Sequence, residues 1–300
     1  IANYPMSQSM TPKALPGLAP NPSTPTLAPR AAWQDFVQET LAMTQRLFIQ
    51  LRRRPSTLVA GIIQPLMWLL LFGALFYHAP QGLFGVNDNY GQFLAPGVIV
   101  FTAFSGALNA GLPVMFDREF GFLNRFLGAP LASRYAIGAA STIDILSLAF
   151  LQTALIVAAS ALLGAGLPGL GGLGAIALIV LTIVLGVTAL SLGLAFALPG
   201  HIELIAVIFV TNLPLLFAST ALAPLDFMAD WLQVIACLNP LTYAIEPIRY
   251  LYLQADWSLG STVLVAPWGS LSFGAMLAVL LAFDLAVLLL IQPLLRRRFA

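Results

Sequence analysis

A chain of 300 residues with 59% apolar side chains, 8% charged side chains and a mean hydropathy of +0.91 is not an ordinary soluble domain, in which charged residues run near a quarter, and it belongs in a membrane. Basic and acidic side chains nearly cancel, 13 against 12, so no basic excess points to nucleic acid, and the single cysteine, Cys237, excludes an internal disulfide and a multi-cysteine metal site. The only lysine is Lys13, in a polar stretch outside every apolar segment, which excludes any chemistry that needs a buried lysine.

Residues 1–30 hold seven of the 21 prolines together with Ser, Thr and Asn and no acidic side chain. Such a composition cannot bury enough apolar surface to offset the entropy of ordering, so it reads as a disordered Pro-rich tail. Residues 31–54 follow as an amphipathic helix. Trp33, Phe36, Val37, Leu41, Leu47, Phe48 and Leu51 recur at helical spacing, opposite Gln34, Asp35, Gln38, Glu39, Gln45, Arg46 and Gln50. The helix runs into Arg52-Arg53-Arg54-Pro55 just before a long apolar segment, which suits a helix lying in the headgroup region; a helix packed on a soluble partner is the alternative.

From residue 55 to residue 300 six apolar segments are predicted to span the membrane: Leu58–Tyr77, Phe93–Met115, Ala136–Leu163, Leu173–Leu198, Ile202–Ala223 and Trp268–Leu295. Each covers a hydrocarbon core of about 30 Å at about 1.5 Å per residue. None alternates polar and apolar residues as barrel strands do, so the predicted class is an all-α polytopic membrane protein with six transmembrane helices. Arg46 and Arg52–Arg54 precede the first span, Arg118, Arg125 and Arg134 lie between the second and third, and Arg296–Arg298 close the chain, whereas the opposite loops carry only Arg249. The positive-inside rule puts both termini, the second-to-third connection and the Pro199-Gly200-His201 turn in the cytoplasm.

The connection Asp117-Arg118-Glu119-Phe120-Gly121-Phe122-Leu123-Asn124-Arg125-Phe126 interleaves charges with large apolar residues in a stretch too short to span. It reads either as a short interfacial helix offering a mixed surface to a cytoplasmic protein or as a loop whose aromatics anchor in headgroups. The large external connection, Pro224 to Pro267, holds two apolar stretches too short to cross. Asp226–Leu238 is the first. The second restarts at Asn239-Pro240, where a capping side chain precedes a proline at the first helical position, and is limited by Pro247. Together they read as two re-entrant half-helices. Glu246 and Arg249, three apart, form a structural pair on one helix face.

Inside the spans, Asp144 and Asp284 sit at depths where a carboxylate is expensive, with no lysine or arginine at comparable depth. They are either protonated and hydrogen-bonded between helices, or they line a polar pathway with Asn109, Gln152 and Asn212. His78 and His201 fall on opposite sides of the membrane and share no metal, and no metal site is expected. A P-loop requires a lysine after its second glycine, and neither an H-E-x-x-H nor a G-x-S-x-G pattern occurs, so no catalytic role is expected.

The helix leading through Arg-Arg-Pro into the first span, the Asp117–Pro130 segment, and above all Asn239-Pro240-Leu241-Thr242-Tyr243-Ala244-Ile245-Glu246-Pro247-Ile248-Arg249 resemble the permease subunit of type-2 ATP-binding-cassette exporters. The resemblance implies a half-transporter in which two permease chains form a homodimeric pathway in the lipid. A separate ATPase subunit then binds ATP and Mg, while this chain carries no cofactor. It further implies that Asp117, Arg118, Glu119, Phe120, Gly121, Phe122, Arg125 and Phe126 form a coupling helix seated on that ATPase. The substrate class implied is a lipid-like, glycan-linked or drug-like amphipathic molecule exported across a prokaryotic cytoplasmic (inner) membrane. A proton-coupled secondary transporter and a membrane-embedded lipid-modifying enzyme remain as alternatives.

Overall fold

The computed structural model describes residues 32–53, 55–76, 78, 90–121, 135–254 and 256–299; the expected tail 1–30 lies outside them. The helices are α1 (Ala32–Arg53), α2 (Pro55–Leu75), α3 (Tyr90–Leu108), α4 (Gly111–Glu119), α5 (Tyr135–Leu162), α6 (Leu170–Ala197), α7 (His201–Phe217), α8 (Asp230–Leu238), α9 (Pro240–Leu253) and α10 (Phe273–Phe299). A 3₁₀ turn at Leu225–Phe227 precedes α8, and a two-stranded hairpin, β1 (Thr262–Ala266) and β2 (Gly269–Ser272), precedes α10.

Helix α3 is the centre of the bundle. Leu94, Ile99, Val100 and Ala103 are completely or almost completely enclosed by α2, α5, α6 and α9, and Ile179, Val180 and Ile183 of α6 close the other side. Around this core the outward faces stay apolar: Phe209 and Val210 of α7, and Leu281, Leu285, Leu289 and Leu290 of α10, are exposed. Leaving each such side chain in water forgoes about 1.5–3 kcal/mol, so a bilayer is the solvent that suits this surface. Among the described residues, four helical stretches are long and apolar enough to cross a membrane: Tyr90–Glu119, Gly138–Leu162, Leu170–Ala197 and Phe273–Pro293. The apolar parts of α2, Val59–Leu75, and α7, His201–Phe217, are shorter.

Several expectations are corrected. The class is not purely α: Leu264 pairs with Leu271 and Ala266 with Gly269 in an antiparallel hairpin, so Trp268 lies at a turn and the last helix starts at Phe273. Thr262, Val263 and Val265 are β-branched, but five apolar residues beside a span give no periodicity that separates strand from helix. The fifth apolar segment stops being helical at Phe217 rather than Ala223, three residues after Pro214. Pro247 does not limit the second external helix, which continues to Leu253. The second segment is two helices, α3 and α4, because the ring of Pro113 clashes with a helical carbonyl at Asn109, and the chain breaks at Asn109–Ala110.

Helix α1 turns Trp33, Val37, Leu41 and Phe48 away from the rest of the chain and buries Thr40 and Thr44. Its apolar stripe therefore faces the surroundings and its inner face is partly polar; Thr44 Oγ1 meets its own need by donating to the Thr40 carbonyl at 2.8 Å.

Candidate functional site

Asn239 is the joint of three helices. Its Oδ1 accepts from the Leu241 N–H at 2.9 Å, capping α9, while its Nδ2 donates to the carbonyls of Leu215 at 2.7 Å and Ala218 at 2.6 Å, which the end of α7 leaves unpaired. Pro240 takes the first helical position, where no N–H is needed. Tyr243 Oη donates to the Cys237 carbonyl at 2.7 Å and ties α9 back to α8. Leu241 and Thr242 are fully enclosed. The Asn-Pro-Leu-Thr-Tyr run thus joins helices, and none of its polar atoms faces an open site.

Glu246 and Arg249 are buried, at 9% and 6% exposure, so their pairing is far from a surface ion pair. Arg249 Nη1 donates to Glu246 Oε1, Nη2 donates to the Thr220 carbonyl, Nε donates to the Phe93 carbonyl at 3.3 Å, and the guanidinium lies 3.8 Å from the Phe93 ring centroid. One side chain therefore fastens α9 to α3 and to the segment after α7. The planar guanidinium of arginine suits this, because its N–H donors are spread over three nitrogens at fixed positions while its face stacks on the Phe93 ring.

At the α3–α4 break, Ser191 of α6 supplies the missing hydrogen bonds. Its Oγ donates to the Leu108 carbonyl and accepts from the Gly111 N–H at 2.9 Å. The helices approach so closely that a Cβ on Gly111 would lie 2.4 Å from the Ser191 carbonyl oxygen. Beside the break, Ser105 Oγ donates to Asn212 Oδ1 at 3.3 Å and Asn109 Nδ2 donates to the Ser105 carbonyl at 2.7 Å. Asn109, in the break after α3, and Asn212 on α7, two of the expected pathway residues, are therefore both joined to Ser105.

The other three are placed differently. Gln152 donates to the Gly61 carbonyl at 2.9 Å and joins α5 to α2. Asp284 presses on α6, where a Cβ on Gly186 would lie 1.9 Å from its Oδ1. Asp144 and Asp284 are half-buried, and Oδ1 of each has no hydrogen-bond partner among the described residues.

Of the expected coupling residues, Asp117, Arg118 and Glu119 end α4, and Phe120 and Gly121 form the following turn; Phe122, Arg125 and Phe126 lie outside the described residues. The three charges have separate partners. Asp117 lies within electrostatic reach of Arg46 on α1. Arg118 donates from Nη1 to the Ala195 carbonyl at 2.8 Å, and from Nη2 to those of Leu198 at 2.6 Å and Pro199 at 2.7 Å. Glu119 Oε1 accepts the His201 N–H at 2.8 Å, and Oε2 pairs with His201 Nδ1. Phe120 is 68% exposed and stacks on Phe116, which also meets the His201 ring.

Residues 38–253 match the family model described as ABC-2 type transporter, a span that runs from α1 to the last residue of α9. The chain belongs to that family. It is 52% identical over 264 residues to a putative transport permease ycf38 of Cyanophora paradoxa, covering 88% of this chain and 91% of that one. It is also 52% identical over 270 residues to a putative transport permease ycf38 of Porphyra purpurea, with coverages of 90% and 93%. A probable doxorubicin resistance ABC transporter permease protein DrrC of Mycobacterium tuberculosis is 25% identical over 259 residues, covering 84% and 88%.

As an ABC-2 permease the chain is an integral membrane transport subunit, and the resemblance read in its sequence is correct at that level. What its sequence left unread are Ser191, Thr220 and the carbonyls of Ala195, Leu198 and Pro199. A serine inside an apolar helix carries no periodic signal, and a backbone carbonyl, that of Thr220 included, carries none at all. The one available pointer was Arg118-Glu119, adjacent opposite charges directly after an apolar run.

Proposed function

We propose that this ABC-2 permease is the membrane half of an ATP-driven exporter that moves a lipid-like or drug-like amphipathic molecule out of the cytoplasm. In this reading two copies form the pathway and a separate ATPase subunit, which holds ATP and Mg, seats on the Asp117–Phe126 segment. The observation that carries it is the family match across residues 38–253. Support comes from the polar group of Ser105, Asn109 and Asn212 set in an apolar bundle next to a broken helix, since polar side chains at membrane depth mark substrate pathways. The relative named for doxorubicin resistance supports the drug-like class. In this reading six crossings, with α2 and α7 as the short ones, keep both termini on one side, and the distribution of arginines makes that side the cytoplasmic one. A reporter fused after Ala300 is then expected on the cytoplasmic side and one inserted near Gly85 outside; both on one side would reject the topology.

The reading is tested by transport in inside-out vesicles carrying the permease and its ATPase, with doxorubicin and a fluorescent phospholipid as separate probes. ATP-dependent accumulation of either is the expected result. The unpartnered Asp144 and Asp284 oxygens favour one competitor, a proton-coupled carrier, in which a carboxyl titrates in each cycle. Asn keeps the shape and hydrogen-bonding capacity without the titration, so Asp144→Asn and Asp284→Asn should retain ATP-driven transport with an unchanged pH profile. Loss of transport in either variant, at normal folding and ATPase binding, would replace the ATP-driven reading by the proton-driven one.

A further inference from the structure

The end of α4 meets two helix termini of opposite polarity. The last carbonyls of α6 carry the negative end of its dipole, and the first N–H groups of α7 carry the positive end of another. Arg118 sits on the first and Glu119 on the second, so two adjacent residues place each charge on the helix end that attracts it. The intervening turn is shaped for this. A Cβ on Gly200 would lie 2.6 Å from Glu119 Oε1 and 2.9 Å from Glu203 Oε2, so any side chain there would push the carboxylate off the α7 terminus. Phe116 covers the His201 ring with centroids 5.1 Å apart. The charged and titratable groups that meet here are Arg118, Glu119, His201 and Glu203.

Five hydrogen bonds to the end of α6, the turn and the start of α7 leave α4 little freedom to move without the α6–α7 connection. Helix α7 in turn carries Asn212 eleven residues further on, beside Ser105 and Asn109. We infer that Arg118 and Glu119 form a coupling clamp: their bonds fasten the docking segment to the end of α6 and the start of α7, so that displacement of that segment is delivered to the polar pathway group. The inference rests on the permease reading above and adds two positioning residues and a route to it. The exposed Phe120, which follows the clamp, is left for the partner surface.

The test uses the full complex of permease and ATPase in nanodiscs, with Leu213→Cys on α7 as the reporter, Cys237 being buried. The labelling rate of this cysteine by a maleimide is compared between the nucleotide-free and vanadate-trapped states. The double variant Arg118→Glu/Glu119→Arg keeps the composition and net charge of the segment but sets each charge on the wrong helix end. Gly200→Ala disturbs the clamp from the turn and leaves the docking segment intact. Both are expected to lose the nucleotide-dependent change in labelling, and Gly200→Ala, which lies outside the docking segment, to retain the ATPase subunit and its hydrolysis. Glu119→Gln, which still accepts the His201 N–H, is expected to keep part of it. If the unsubstituted complex responds and both Gly200→Ala and the charge swap respond equally, the clamp is overturned and the permease reading stands. If the swap fails to fold, Gly200→Ala decides alone. If the unsubstituted chain neither binds nor responds to an ATPase, the permease reading fails and the clamp falls with it.

Discussion

Arg249→Met is expected to destabilise the protein by about 3–5 kcal/mol, the usual consequence of removing one partner from a buried ion pair. The Glu246 carboxylate would stay enclosed at 9% exposure without its cation, and the carbonyls of Phe93 and Thr220 would each lose a charged donor. The effect should concentrate on the packing around α9, because Arg249 is what holds α9 against α3 and the segment after α7. Thermal unfolding followed by size-exclusion chromatography in detergent measures it. The double variant Glu246→Leu/Arg249→Met, which buries no charge, is expected to recover most of the loss, as apolar replacements of buried pairs often do. A single variant that melts with the unsubstituted protein would mean that the pair is solvated and that these contacts do not hold.

Ser191→Ala is expected to loosen the α3–α4 break. It removes the donor to the Leu108 carbonyl and the acceptor of the Gly111 N–H together, and each buried backbone group left unpaired costs about 1–3 kcal/mol. Gly111→Ala attacks the same joint by crowding. Its methyl would lie 2.4 Å from the Ser191 carbonyl oxygen, an atom of helix backbone that cannot turn aside, and overpacking of this kind costs about 1–3 kcal/mol. Both should raise amide exchange at residues 108–112 well above that of α3 proper. Since both act at one contact, the double variant should cost less than the sum of the singles. Full additivity, or unchanged exchange at the break, would show that α6 does not support it.

The amino-acid sequence by itself determined the solvent, the helical character of the apolar segments and the family. Apolar runs of membrane length, the lopsided arginines and the Asn239–Arg249 motif are local or compositional signals, and burial in lipid demands helices whatever the rest of the chain does. It also determined the α9 cap, because Asn before Pro specifies a helix start from neighbours alone. Only the tertiary structure decided which polar groups work together. Asn239 was legible as a cap, yet its second task, donating to the end of α7, needs two helices folded side by side. Arg118 and Glu119 were legible as charges at a span end, but apart from the His201 ring their partners are backbone groups at the α6–α7 junction, 77 to 82 residues away, which have no side-chain identity to read. The five residues expected along one pathway divided for the same reason: depth in a span can be counted along a helix, whereas the direction a side chain faces is set by the helix packed against it.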